Sequence, residues 1–502
     1  MRTITLLLLS LIFVFAACQP QIKKPNVLLI VADDLGYSDL GVYGSSFYET
    51  PVLDALSADG ILFTDGYATC PVCSPSRSSI QTGKYPIKTG VTDWIPGRSQ
   101  FAGTTKTDRW INLPTKNNMD LEEITLAEVL RNNGYNTFFA GKWHLGETAE
   151  YWPENQGYDI NIGGHSKGSP TMNKENGANG YFSPYGNPRL SDGPEGEYLP
   201  DRLAAETISF IESQTSAKPF MICLPFYLVH NPQQAKEEMI DYFTKKRVTM
   251  NLDEAAEINP TPNWAEFATV GNYQERMVQG SPVYASMVKS LDENIGKIIE
   301  KLKDKDWYDN TLILFTSDNG GLSTAEGWPT SNLPFRAGKG WLYEGGIRVP
   351  LIVKMPGNEY KGVTNAIPVS GIDILPTILS AAGINSHELK DIDGVSIEQY
   401  FETSENNTRA LYWHYPHYAN QGGNPGSAIR QGKYKLIHDF ERGTAELFDL
   451  EADPGELNDL SQTHEAIADS LFKLLDEWRI ANNAAMMTDP NPNWDGSEPV
   501  VR

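Results

Sequence analysis

Asp33-Asp34 and Asp318-Asn319 are the residues most able to do chemistry by position, because each pair ends an apolar run. Residues 26–32 lead straight into the first pair, and residues 311–316 lead through Ser317 into the second. If two strands of one sheet end side by side, three carboxylates and an amide oxygen meet at one point. Carboxylates that close repel strongly unless a cation lies between them. An all-oxygen set suits Ca2+ or Mg2+ better than zinc. Taken singly, each pair is equally consistent with a turn, since Asp-Asp and Asp-Asn-Gly are common turn sequences. Two more apolar runs end near basic groups: residues 137–140 before Lys142-Trp143-His144, and residues 220–224 before Pro225 and then His230.

These four runs read as parallel strands buried on both faces, which are apolar throughout rather than alternating. Polar groups at their carboxyl ends stand where open α/β sheets bind ligands. Between them the pattern becomes helical. Residues 120–133 offer Asp120 as a cap, Glu123 three residues on, a stripe of Leu121, Ile124, Leu126, Val129 and Leu130, and Gly134 as the stop. A second stripe of Met287, Val288, Leu291, Ile295, Ile298, Ile299 and Leu302 feeds the strand ending at Asp318. Strand–helix alternation implies an α/β fold with a large sheet. Residues 147–201, rich in Gly, Pro and Asn, read as a long loop over the sheet edge, and residues 239–279 as an irregular insertion. After residue 405 the texture changes to short strands at residues 433–437 and 446–450, a turn at Asp453-Pro454-Gly455-Glu456, and a last helix over residues 465–478.

A third constellation is more specific: Cys73-Ser74-Pro75-Ser76-Arg77, then Thr82-Gly83-Lys84. It resembles the signal by which type I sulfatases have a cysteine oxidised to formylglycine. The resemblance extends to Gly141-Lys142-Trp143-His144-Leu145-Gly146, Thr316-Ser317-Asp318-Asn319-Gly320, Gly338-Lys339-Gly340, the run from Tyr343 to Pro350, and Leu447-Phe448-Asp449-Leu450, in the family's order. Ile80-Gln81 and Asn231-Pro232 depart from the usual pattern without touching a reacting group. The implied fold is the alkaline-phosphatase-like α/β sandwich, a large mixed, mostly parallel sheet with a small C-terminal α+β subdomain. The implied metal is one Ca2+, in preference to Mg2+, held by Asp33, Asp34, Asp318, Asn319 and modified Cys73. Arg77 and Lys142 would offset charge near the nucleophile and metal, and Lys339 would bind a sulfate oxygen. His230 would be the general acid to the leaving alkoxide, and His144 the base that lets the sulfated hydrate collapse. The aromatic run from Trp413 to Tyr418 falls where the family builds substrate subsites. There His414 and His417 are candidates to bond sugar hydroxyls, with ordinary packing an equal alternative. Cys70 and Cys223 read as buried, idle thiols.

The substrate class implied is a sulfated oligosaccharide or polysaccharide, with algal ulvan, galactan and glycosaminoglycan all open. A maturation enzyme that generates formylglycine is an implied partner. Two rivals stand beside this reading: a phosphate-ester hydrolase of the same superfamily, and a non-catalytic lipoprotein that binds sulfated glycans. The chain's formal net charge of −23 argues against a nucleic-acid partner. An anionic substrate must therefore be drawn in by a local basic pocket rather than by the overall field. Four cysteines make no disulfide framework. At the start, Arg2 precedes an apolar stretch over residues 4–15 that is too short to span a bilayer, closed by Ala16-Ala17-Cys18. This layout resembles the lipobox of bacterial lipoproteins. Residues 1–17 are then a signal peptide and Cys18 the lipidated residue, anchoring an exported protein to a membrane. No acidic run follows Cys18, which points to the periplasmic face. The expected division is a catalytic domain over residues 25–404, the α+β subdomain over 405–490 and a tail over 491–502.

Overall fold

A computed structural model of the chain describes residues 24–171, 176–252, 267–270, 273–385, 389, 391–402 and 409–497. The expected signal peptide and Cys18 lie outside the described residues. Eight strands form the main sheet: β1 (Asn26–Ala32), β2 (Ile61–Phe63), β3 (Asn136–Ala140), β4 (Ile160–Ile162), β5 (Phe220–Pro225), β6 (Thr311–Ser317), β7 (Leu351–Lys354) and β8 (Val363–Asn365). Their order is β8-β2-β7-β6-β1-β5-β3-β4, and only β7 runs against the others. β1 is central, paired in parallel with β6 from Asn26↔Thr311 to Ala32↔Ser317. That register sets Asp33 beside Asp318.

Period-two alternation splits β1 between two cores. Leu28 and Ile30 face one side with Ile313 and Phe315, while Val27, Leu29 and Val31 face the other with Leu312 and Leu314. Helices cover both faces, which is why these strands are apolar along their whole length. The first face carries α1 (Pro51–Ala58) and, later in the chain, three longer helices; the second carries α2 (Cys73–Thr82), α3 (Leu126–Asn132) and a helix at Ile374–Ala381. The first-face helices are α4 (Leu199–Ser213), α5 (Glu237–Thr249) and α6 (Pro282–Asp304). α6 starts with Ser281 accepting a hydrogen bond from the Tyr284 amide, with Pro282 in the first turn. It buries the whole expected stripe from Met287 to Leu302. Each such side chain contributes about 1.5–3 kcal/mol of transfer free energy.

Three elements differ from expectation. α3 begins at Leu126, not Asp120: Thr125 Oγ1 accepts from the Glu128 amide at 3.2 Å, and Glu128 returns a bond to the Thr125 amide at 2.9 Å. Asp120 and Glu123 are instead paired with Lys116 and Lys84, and Leu121 and Ile124 are exposed. The insertion expected over 239–279 contains α5 and a hairpin of Phe267–Val270 with Tyr273–Arg276. α5 buries only Phe243 fully, so its periodic signal is weak. The expected loop over 147–201 is mostly irregular, but it supplies edge strand β4 and the start of α4.

The C-terminal part is an antiparallel sheet of β9 (Ala410–Tyr415), β10 (Gly426–Gln431), β11 (Tyr434–Asp439) and β12 (Thr444–Asp449), in that order. One face, through Ile429, Leu436 and Leu447, packs on the last helix (Glu465–Ala481). The other face, through Leu411, Trp413, Tyr415 and Phe448, packs on Tyr67, Cys70, Val72 and Trp341 of the larger part. No helix among the described residues is long and apolar enough to cross a membrane.

Candidate active site

The parallel strands deliver their polar termini to one end of the sheet. β1 ends at Asp33 and Asp34, both buried, the latter in the left-handed region at φ 61°. β6 ends at Asp318 and Asn319, also buried. The Asp34 amide donates to Asp318 Oδ1 at 3.2 Å, and Asn319 Nδ2 donates to Asp34 Oδ1 at 2.8 Å. From β3 the chain turns at Gly141 (φ 121°), where a Cβ would stand 1.9 Å from the Pro225 carbonyl. Lys142 then points Nζ at Asp33, 2.7 Å from both carboxylate oxygens. After β5, Asp33 exchanges backbone hydrogen bonds with Leu228 and Val229, which fixes the segment carrying His230.

Cys73 is the first residue of α2, and every residue of that helix is buried. Ser74 and Ser76 hold its start: Ser74 Oγ donates to the His144 carbonyl, and Ser76 Oγ donates to the Cys70 carbonyl. One turn on, Arg77 donates Nε to Asp318 Oδ2 at 2.8 Å and Nη1 to the Lys142 carbonyl at 2.9 Å. Gln81 accepts from the Tyr158 hydroxyl at 2.9 Å and points its amide at Cys223 Sγ, so this departure from the family pattern is a satisfied core amide. Lys339 comes from a loop tied to the approach to Cys73 by a Gly340 amide bond to the Pro71 carbonyl. Its Nζ lies 2.8 Å from Asp34 Oδ2.

Ligand atoms of Asp33, Asp318 and Cys73 lie within 4.8 Å of one another, as do those of Asp34, Cys73 and His230. Burial pushes Asp33 up to about 8 despite Lys142, with Asp318 and Asp34 adding to the rise. Burial also pushes the Cys73 thiol up to about 12. Asp34 moves the other way, because Lys339 and His230 outweigh its burial. Asn319 Oδ1 is buried without a hydrogen-bond partner. Three crowded carboxylates beside an unsatisfied amide oxygen are what a hard divalent cation needs, so the donor set fits one.

The two histidines present different faces. His144 (φ 57°) places Nε2 2.7 Å from the Ile95 carbonyl and leaves buried Nδ1 without a partner. Burial and Lys142 hold its basicity well below the ordinary histidine value, so the ring is neutral. His230 places Nδ1 2.8 Å from the Asn231 carbonyl and turns Nε2 toward Asp34 at 3.7 Å. Burial and Lys339 lower it to about 4, against the pull of Asp34.

Above this floor opens a cleft of about 140 Å3 lined by Cys73, His144, His230 and Lys339, together with Val72, Trp94, Gly168, Glu326, Asn420 and Gln421. Residues 25–384 match the sulfatase family, and residues 337–481 match a family described as N-sulphoglucosamine sulphohydrolase, C-terminal. The chain belongs to the sulfatase family. A sulfatase of Formosa agariphila is 30% identical over 92% of this chain and 90% of its own. Human arylsulfatase A is 28% identical, covering 98% and 95%. The crystal structure of Ps i-CgsB in complex with k-i-k-neocarrahexaose superposes with a TM-score of 0.71 at 28% identity, covering 93% of this chain and 95% of that one. As a sulfatase the chain is a sulfuric ester hydrolase with the alkaline-phosphatase-like fold.

In this sulfatase the expected floor residues come together, but His414 and His417 do not join them. His414 is buried between Ser427 Oγ at 2.7 Å and the Ala485 carbonyl at 2.9 Å, and His417 is buried against Thr92 Oγ1 at 2.9 Å. His417 packs against the loop that carries Trp94, whereas His414 ties β9 to β10 and to the segment after the last helix. The cleft is reached three residues further on, by Asn420 and Gln421. The expectation of a hydroxyl-binding histidine pair is corrected accordingly. Sequence reasoning missed Trp94, Gly168, Glu326, Asn420 and Gln421. Gly422-Gly423 was the available signal, because a Cβ on Gly423 would stand 1.7 Å from the Gly340 carbonyl, beside Lys339.

Proposed function

We propose that this sulfatase hydrolyses sulfate esters of a sulfated carbohydrate, with formylglycine made from Cys73 as nucleophile and one Ca2+ held by Asp33, Asp34, Asp318, Asn319 and the modified Cys73. The observation that carries the reading is the place of Cys73, at a helix start inside a ring of carboxylates and cations. A thiol raised to about 12 is protonated at neutral pH and is a poor nucleophile. A sulfated thiol would also have no easy release. A hydrated aldehyde supplies one hydroxyl that would give its proton to Asp318 and bond to sulfur as the sugar oxygen leaves, and a second whose deprotonation breaks the carbon–oxygen bond to the sulfated oxygen, expelling sulfate and restoring the aldehyde. The cation would polarise the sulfate and steady the nucleophile.

The chain's own groups divide the remaining work. Lys339, lining the cleft, would take a sulfate oxygen, while Arg77 and Lys142 offset charge from below. His230 would protonate the departing sugar oxygen from Nε2, which must first take up a proton because Nδ1 is committed to the Asn231 carbonyl. His144 would take the proton of the second hydroxyl at Nδ1, the atom left without a partner. The carbohydrate class is supported by the N-sulphoglucosamine family match and by the saccharide bound in Ps i-CgsB.

Protein made with an oxidising maturation enzyme should yield a Cys73 peptide lighter than the thiol form and reactive with hydrazines. The same protein should release sulfate from a chromogenic aryl ester, lose that activity to a chelator and regain it with Ca2+. Full turnover in rigorously metal-free protein would sink the metal assignment. We also propose that Cys18 is acylated and holds the enzyme at a membrane, facing the periplasm. One acyl chain binds only marginally, so firm retention needs more than one. Cys18→Ala protein that stays in the membrane fraction would refute this.

A further inference from the structure

The floor commits its cations. Arg77 is bound to Asp318, Lys142 to Asp33 and Lys339 to Asp34. At the mouth the balance reverses: among the described lining residues Glu326 is the one carboxylate, exposed, and the only lining cation is Lys339 below it. We infer that Glu326 makes the mouth select a sulfated sugar whose other substituents are neutral hydroxyls, against rings that carry a second sulfate or a carboxylate. This rests on the carbohydrate reading above and narrows it.

The carboxylate is held in place. Glu326 Oε1 accepts from Gln421 Nε2 at 2.5 Å, and Oε2 lies 3.4 Å from Asn231 Nδ2. Gln421 is held at its backbone, whose carbonyl accepts from Thr324 Oγ1 at 3.1 Å and Trp341 Nε1 at 3.0 Å. Each carboxylate oxygen has capacity for a second donor, so the pair can accept two neighbouring sugar hydroxyls. Trp94, half-buried at the same mouth, offers an apolar face to the ring's C–H groups. The cleft, at about 140 Å3, is smaller than the roughly 300–1,000 Å3 of sites for drug-sized ligands. A ring seated in so small a cleft lies near Glu326. A second anion a few ångströms from a fixed carboxylate at a half-wet mouth should weaken binding roughly tenfold.

The test uses Cys73→Ala protein, which cannot turn over, and titrates it calorimetrically with two ligands. One is the monosulfate of an otherwise uncharged hexose; the other is the same sugar with a carboxylate in place of its hydroxymethyl group. The expected Kd ratio favours the singly charged ester about tenfold. Adding Glu326→Gln should bring the ratio close to one, and Glu326→Lys should invert it. A ratio that is the same in all three proteins overturns the inference. If neither sugar binds while the parent enzyme still cleaves an aryl sulfate, the carbohydrate reading fails first and takes the inference with it.

Discussion

The cleft floor and the seam beneath the C-terminal sheet each bury three carboxylates with three cations, but they arrange them in opposite ways. In the seam the signs alternate. Lys435 Nζ stands 2.9 Å from both Glu344 and Glu456, Arg348 bridges Glu344 and Asp65, and Arg430 reaches Asp65 at 2.6 Å. In the floor Asp33, Asp34 and Asp318 converge, each paired with its own cation, and Asn319 Oδ1 and His144 Nδ1 lack partners. Alternation neutralises charge locally and fixes the C-terminal sheet on the larger part. Convergence leaves a negative pole that needs a cation, which is how a fold stores reactivity at a cost in stability. The same inventory therefore serves stability in one place and chemistry in the other.

The largest way to break this comparison is Cys73→Ala. It should reduce sulfate release by about four orders of magnitude or more, with little change in Tm, because the floor's ion pairs run through Arg77, Lys142 and Lys339 rather than through the thiol. Cys70→Ala, a buried thiol outside the cleft lining, is the control that keeps turnover. Sulfate release at the parental rate from Cys73→Ala would end the nucleophile assignment.

Next come the two histidines, at about 10²–10⁴-fold each. On the role proposed for it in release, His144→Ala should accumulate sulfated enzyme, detectable by intact mass. His230→Ala should suffer more on sugar sulfates than on aryl sulfates, whose leaving group needs no proton. Equal losses on both esters would remove His230 from the role of acid.

The seam answers to a different measurement. Lys435→Met leaves Glu456 without its cation beside Glu344 in a dry interface and should cost about 3–5 kcal/mol of stability by denaturant unfolding. Turnover per folded molecule should survive. If activity fell while stability held, the division between the two clusters would be wrong.

Much of the floor was legible because its residues follow strands, and strands buried on both faces announce themselves as apolar runs. Asp33, Asp318, Lys142 and His230 could be placed at one end of a sheet on that ground alone. Glu326 and Gln421 could not, since loops that meet only through tertiary packing leave no periodic trace. The seam was illegible for a related reason. Glu344 lies in a family-like block, but Lys435 and Glu456 sit in a strand of ordinary alternation and after a common turn, and their pairing depends on how the two sheets dock. His414 and His417 misled because an aromatic, histidine-rich run suits a buried interface as well as a sugar site. α3 was placed too early because Asp120 and Glu123 imitate a capping box that Thr125 and Glu128 form.

The smallest expected effect is also the sharpest probe of the seam, and it is read through pH. Burial pushes Glu456 up to about 7, with Glu344 adding to the rise and Lys435 opposing it. Glu344 goes the other way, to about 2, because Lys435, Arg348 and Arg430 outweigh its burial. An acid whose pKa is raised on folding binds more protons in the native state than in the unfolded one. Its contribution is therefore fully present below the ordinary glutamate value of 4.5 and is lost as pH rises through about 7. Glu344 titrates with the opposite sign and in a lower window, its contribution lost only as pH falls from 4.5 through about 2. Between pH 5 and 8 the two do not overlap. Glu456→Gln, close to isosteric with the protonated acid, should remove the Glu456 part of the slope. Unfolding free energy of the parent should fall by about 1–3 kcal/mol more than that of the variant across that range. Parallel stability curves for the two proteins would mean that Glu456 stays ionised beside Lys435. The seam would then be a fully charged lattice at every working pH.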